Sequence, residues 1–184
     1  MTDWDFMQTA LEEARLAASA SIFVKGSRQM SRHKAALSIL RSPDDYRAAM
    51  EAFQKDRILH WQEIVCREFV PLRPVPAGAS AADVIPASFE YRTFWWRGQC
   101  VGAGPYWAAV TSYDWTQAEA QPALAVAAQA AQRLALPFLV VDVAQTVDGR
   151  WIVIEVNDAQ ESGYAGIAPL PLWQRIVEME REYR

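Results

Sequence analysis

The stretch FLVVDVAQTVDGRWIVIEVN, residues 138–157, constrains this chain more than any other. Two apolar runs rich in β-branched residues flank Asp148-Gly149, a dipeptide suited to the positive φ angles of a tight turn. The pattern predicts a β-hairpin. With a two-residue loop, Val147 pairs with Arg150, and continuing that register outwards sets Asp142 opposite Glu155. Directly opposed residues share a face of the sheet, with Cβ atoms ~5 Å apart. Asn157, two residues beyond Glu155, joins them on that face.

Two carboxylates opposed among apolar neighbours repel each other unless something offsets their charge. A bound divalent cation does so, and two carboxylates with an amide oxygen suit Mg²⁺. Asp142, Glu155 and Asn157 are therefore candidate metal ligands. The plain alternative is a solvated Asp142 at a strand end. A glycosidase pair fits poorly, because the two acids lie too close together.

The remainder reads as helices and strands in mixed order. Residues 3–18 carry Trp4, Met7, Leu11, Ala14 and Ala18 at helical spacing. SIFVKG (21–26) is a short strand, and 26–34 is a polar loop containing Arg28, Arg32, His33 and Lys34. Ser42-Pro43-Asp44-Asp45 opens a helix over 43–55, with a capping serine, a first-turn proline and acids at the positive end of the dipole. EIVCREFVPL (63–72) is the next strand. Residues 73–88, rich in Pro, Ala and Gly, read as a linker. A second hairpin over 90–104 turns near Arg97-Gly98, an alanine-rich helix covers 117–135, and 170–183 form a closing helix. The order predicts an α+β fold. It divides into a lobe of residues 1–72, the linker 73–88, and a lobe of residues 89–184.

At 184 residues, the chain is long enough for one domain or two small lobes. A hydrophobic content of 52% against 22% charged residues excludes a disordered chain. No apolar run reaches the ~18 residues of a membrane span. The acidic, amphipathic start lacks the order of a secretion signal, and Cys66 and Cys100 form neither a disulfide framework nor a CxxC motif. A cytoplasmic protein is expected. The net charge of −4 argues against nucleic acid as a partner. His33 and His60 are too far apart to suggest a metal pair, and the eight tryptophans suit core and cleft lining better than base stacking. Only three of the 18 basic residues are lysines, and Lys25 and Lys34 flank the 26–34 loop.

Four segments together resemble the ATP-grasp superfamily, in its order. SIFVKG is similar to the strand carrying a phosphate-contacting lysine, and IVCREFVPL to the strand leading to the adenine hinge. EYRTFWWRGQCVGAG resembles the family's arginine-bearing hairpin, and VDVAQTVDGRWIVIEVNDAQESG its metal-binding strand pair. They span residues 21–163, and the set looks closest to the R-two-K group of bacteria and phages. The resemblance implies two α+β lobes with ATP in the cleft between them. Lys25 would contact the α- and β-phosphates, and Glu68, Phe69 and Val70 would form the adenine hinge. Arg92 would contact the phosphates or the reacting carboxylate by a two-pronged hydrogen bond, and Asp142, Glu155 and Asn157 would hold Mg²⁺. Without the family, Lys25 is a solvated strand-end lysine, Glu68–Val70 an ordinary strand, and Arg92 an ion-pair partner of Glu90.

Two departures stand out. The 26–34 loop has one glycine where many relatives have several, so either basic side chains replace backbone amides over the phosphates or the loop is simply solvated. The family's separate N-terminal domain does not fit in the 20 residues before Ser21. The expected activity is a Mg-ATP-dependent ligase that joins a carboxylate to an amine or thiol through an acylphosphate. An ATP-binding module without its own turnover, or a structural domain, is the alternative. An open substrate wall further implies a homo-oligomer or a partner chain, with 26–34 as a mobile lid.

Overall fold

The computed structural model describes residues 9, 21–27, 34–76, 85–160 and 162–182. The helix expected over 3–18 lies outside them apart from Thr9, as do residues 28–33 of the polar loop and 77–84 of the expected linker. The chain divides into two units, Met1–Val70 with Ser80–Ile85, and Pro71–Ala79 with Pro86–Arg184.

In the first unit, β1 (Ile22–Gly26) lies between β2 (Ile39–Leu40) and β3 (Ile64–Glu68), antiparallel to both. Alternation along β1 turns Ile22 and Val24 into a core with Leu40, Ala49 and Phe53. Phe23 and Lys25 take the opposite face, where the Arg67 guanidinium lies 4.7 Å from the Phe23 ring. A short helix α1 (Ala35–Ser38) precedes β2, and α2 (Pro43–Lys55) follows it. The start of α2 matches its sequence signal: Ser42 Oγ accepts a hydrogen bond from the Asp45 amide at 3.2 Å, and Pro43 occupies the first turn. The strand expected over 63–72 is shorter. It ends at Glu68, after which the Phe69 amide donates to Ser21 O at 3.0 Å.

The second unit contains β4 (Glu90–Trp96), β5 (Gln99–Pro105), α3 (Gln117–Leu134), β6 (Phe138–Gln145), β7 (Trp151–Asn157) and α4 (Pro169–Glu182). Its sheet has the order β5-β4-β6-β7, antiparallel throughout. The two sheets and their flanking helices make an α+β fold. On one face, Ala123, Ala127 and Ala131 let α3 approach Tyr91, Leu139, Val141 and Val143, and Trp115 stacks on Tyr91 at 3.9 Å. On the other face, Leu172, Ile176 and Met179 of α4 cover Phe94 and Val140. Further along that second face stand Glu90, Arg92 and Asp142. The flanks of the 73–88 stretch carry their own pairing: Phe89 N donates to Arg73 O at 2.7 Å, and Arg73 N to Gln145 O at 2.8 Å.

The β6–β7 hairpin departs from the expected geometry twice. Thr146 N donates to Arg150 O at 2.8 Å, and Thr146 Oγ1 accepts from Arg150 N at 3.0 Å, so the loop has three residues, Val147 to Gly149. Gly149 supplies the positive φ, 86°, that closes it. The near-turn pairs are consequently Gln145 with Trp151 and Val143 with Val153, one residue off the two-residue register. A β-bulge at Ile154 then adds a residue to β7 and restores the offset, so that Asp142 faces Glu155 after all.

Candidate functional site

Strand pairing builds the site. Arg92 on β4 lies opposite Asp142 on β6, which lies opposite Glu155 on β7, giving one row across three strands on one face. Arg92 grips Asp142 with both prongs, Nε to Oδ1 at 2.9 Å and Nη2 to Oδ2 at 2.7 Å. The pair is buried, with Arg92 7% and Asp142 1% exposed. Burial alone would lower the pKa of Arg92, but the hydrogen bonds and charge of Asp142 leave it raised.

The remaining terminal nitrogen of Arg92, Nη1, donates to Gly163 O at 2.7 Å. The 163–167 segment thereby closes onto the sheet. It can do so because Gly104 has no side chain; a Cβ there would meet Ile167 Cγ1 at 2.8 Å and the Gly166 carbonyl carbon at 3.0 Å. The Tyr106 ring lies 5.0 Å from the Arg92 guanidinium.

The local charge balance therefore differs from the sequence expectation. By sequence, a cation is needed to offset Asp142, and Glu90 is the ordinary partner for Arg92. In the fold, Arg92 itself neutralises Asp142. The contact depends on β4–β6 pairing between residues 50 apart in sequence, which no local pattern reveals.

Glu90 is instead a separate member of the site. It is 6% exposed and shares the Arg92 face, two residues away on β4. Its Oε2 accepts from Ser88 Oγ and Trp107 Nε1, both at 3.2 Å. Burial first, then the charge of Asp142, pushes its carboxyl up to about 7, against the pull of those hydrogen bonds and of Arg92. Its two-residue spacing from Arg92 is the one sequence signal of its place here.

Lys25 lies opposite Val65 in the first unit. Glu68 faces Ile22, so its side chain takes the other side of that sheet, and Phe69 and Val70 follow the end of β3. These four candidates belong to the first unit; Arg92, Asp142, Glu155 and Asn157 belong to the second.

Among the described residues, no three His, Cys, Asp or Glu side chains gather closely enough to hold a metal by themselves. Asp142, Glu155 and the Asn157 amide are hard oxygen donors on one face. A carboxylate oxygen has more than one lone pair, so the grip of Arg92 does not exhaust Asp142 as a ligand. Such a set fits Mg²⁺ that draws its other ligands from water and phosphate.

The family described as ATP-grasp domain, R-two-K clade family 3, matches residues 13–176. The chain belongs to this family. No curated protein matches it in sequence. In fold, this ATP-grasp domain is similar to the D-alanine–D-alanine ligase of Bacillus anthracis, with a TM-score of 0.54 and 12% identity over 97% of this chain and 53% of that one. A RimK domain ATP-grasp protein from Sphaerobacter thermophilus DSM 20745 aligns at TM-score 0.48 and 15% identity, over 84% of this chain and 50% of its own. Cdc123 from Schizosaccharomyces pombe, C-terminally truncated, aligns at 0.48 and 14%, over 84% and 65%. The domain thus spans about half the length of the first two.

Proposed function

We propose that this ATP-grasp domain binds Mg-ATP and serves a ligase that activates a carboxylate as an acylphosphate for attack by an amine or thiol. The row of Arg92, Asp142 and Glu155, with Asn157 on the same face, carries the proposal. Asp142, Glu155 and Asn157 would hold Mg²⁺, which neutralises phosphate charge during transfer. Arg92 keeps Asp142 oriented for that task, and its remaining N–H groups are the ones left to meet a phosphate or the reacting carboxylate. Lys25 would contact phosphate as a point charge, and the backbone of Glu68–Val70 would read the adenine edge.

Glu155→Gln tests the metal assignment. The variant is expected to fold normally and to lose the Mg²⁺ dependence of ATP binding, as read by calorimetry with and without the ion. An unchanged Mg²⁺-dependent affinity would remove Glu155 from the metal site.

Lys25→Ala tests the phosphate contact. It should weaken ATP by about 1.5–3 kcal/mol, as expected for a charge-assisted hydrogen bond, and leave adenosine nearly unaffected. Equal weakening of both ligands would mean that Lys25 acts through folding.

A nucleotide-binding module without its own turnover is the second reading. It is favoured by the engagement of all three Arg92 nitrogens by Asp142 and Gly163. ADP release in a mixed pool of amino acids and peptides separates the two.

A further inference from the structure

We propose that the 163–167 segment is a strap closed over Arg92, and that a carboxylate opens it by replacing the Gly163 carbonyl on the guanidinium. The inference rests on the ligase reading above, in which Arg92 meets the reacting carboxylate, and gives that site a closed and an open state.

A guanidinium has two edges on which a carboxylate can accept a pair of parallel hydrogen bonds. On Arg92, the edge formed by Nε and Nη2 already holds both oxygens of Asp142. The other edge is formed by Nη1 and Nη2, and there Nη1 donates to Gly163 O at 2.7 Å. The Tyr106 ring lies 5.0 Å away, and the residue as a whole is 7% exposed. A second carboxylate therefore gains a two-pronged hold only when Gly163 gives up its nitrogen.

The segment is arranged to part from the sheet at Gly163 while staying attached beyond it. Gly166 N donates to Pro105 O at 3.0 Å, and Ile167 N to Tyr164 O at 3.0 Å. The Tyr164 ring stacks on Phe94 at 5.8 Å, and its hydroxyl accepts from Trp173 Nε1 at 2.9 Å. Gly163 itself is exposed and meets the sheet through the Arg92 bond. On either side of it, Ala159 and Ala165 take φ angles of 48° and 52°, a left-handed conformation that the Cβ of an L-residue disfavours. The closed strap thus carries backbone strain, and the charge-assisted bond at Gly163 holds it in place.

A carboxylate outcompetes a peptide carbonyl on this edge because it is charged and presents two acceptor oxygens in one plane. Asp142 and Glu90 flank the guanidinium, so the carboxylate is expected to open the strap when Mg-ADP is bound, whose cation offsets their charge. Gly104 gives a way to open the strap without any carboxylate. A Cβ at that position would meet Ile167 Cγ1 at 2.8 Å and the Gly166 carbonyl carbon at 3.0 Å, which pushes the segment off the sheet.

Residues 163 and 164 are the one Gly-Tyr pair in the chain. Glycine labelled with ¹³C at its carbonyl and tyrosine labelled with ¹⁵N therefore single out their peptide bond by NMR. With Mg-ADP bound to the wild-type chain, acetate should shift the Gly163 carbonyl signal, and acetamide, its neutral analogue, should not. A signal that stays in place throughout the acetate titration, or that moves equally with acetamide, overturns the proposal. In Gly104→Ala the signal should start at the open position. Acetate should then bind about 10-fold more tightly than to wild type, the factor carried by a charge-assisted hydrogen bond that no longer competes. Unchanged or weaker acetate binding in that variant would mean that the strap helps to hold the carboxylate, and the proposal fails. Should Gly104→Ala not fold, the wild-type titration decides by itself. Calorimetry of wild type with Mg-ATP tests the underlying reading separately: binding without an acetate response removes only the strap, whereas no binding removes both.

Discussion

Arg92→Met will destabilise the protein by about 3–5 kcal/mol, because it removes the guanidinium that balances the charge of the Asp142 carboxylate, which is 1% exposed. The cost comes from the charge left behind more than from the bond removed. The double replacement Arg92→Met with Asp142→Leu should therefore recover most of the loss, since apolar side chains of similar volume often substitute well for a buried ion pair. The contact with Gly163 is lost in both variants and sets a floor to the recovery. Urea unfolding of the two variants and wild type measures both quantities. A single-variant loss below about 1 kcal/mol would mean that Asp142 finds another donor or water when Arg92 is gone.

Glu90→Gln will stabilise the protein above neutral pH and flatten its acid-side profile. In the folded chain the Glu90 carboxyl titrates at about 7, against 4.5 for the ordinary group, so the folded state binds the proton more tightly than the unfolded state. Its contribution to stability is fully present below pH ~4.5. It is lost as pH rises toward 7 and stays lost above that. The difference corresponds to about 3 kcal/mol, a magnitude appropriate to a group this buried. Glutamine keeps an oxygen for Ser88 and Trp107 and carries no charge to desolvate. Unfolding free energies at pH 4.5 and 8 should differ less in the variant, by up to that amount. Parallel profiles for variant and wild type would show that Glu90 is already ionised or solvated at neutral pH.

Local signals in the sequence locate the elements whose ends carry a chemical marker. Ser42-Pro43 sets the start of α2, and Asp148-Gly149 marks the β6–β7 turn. α1 and β2 escape such reading, because four and two residues are too short to show a period. The opposition of Asp142 and Glu155 follows from a simpler hairpin than the real one: the extra loop residue and the Ile154 bulge cancel. The Arg92 grip on Asp142 and the burial of Glu90 are out of reach. Both arise where β4 meets β6 and the 105–113 segment folds back, and antiparallel register between distant strands leaves no mark in either strand alone. Charge repulsion is visible in the sequence, while its neutralisation is not.

The bulge also bears on how chains of this kind can gain or lose residues. Trp151 and Val153 turn toward α3, whereas Glu155 and Asn157 turn to the opposite face, although all four have odd numbers. Ile154 is what inverts the phase. A chain without it would run as an unbroken ladder in which Trp151 still faces Gln145 and the glutamate still faces Asp142. The spacing from the turn to Glu-x-Asn is thus free to change by one residue without moving either the aromatic core or the acidic row. A single-residue gap between related sequences belongs in the middle of this strand, at Ile154, rather than in the loop where gaps are ordinarily placed.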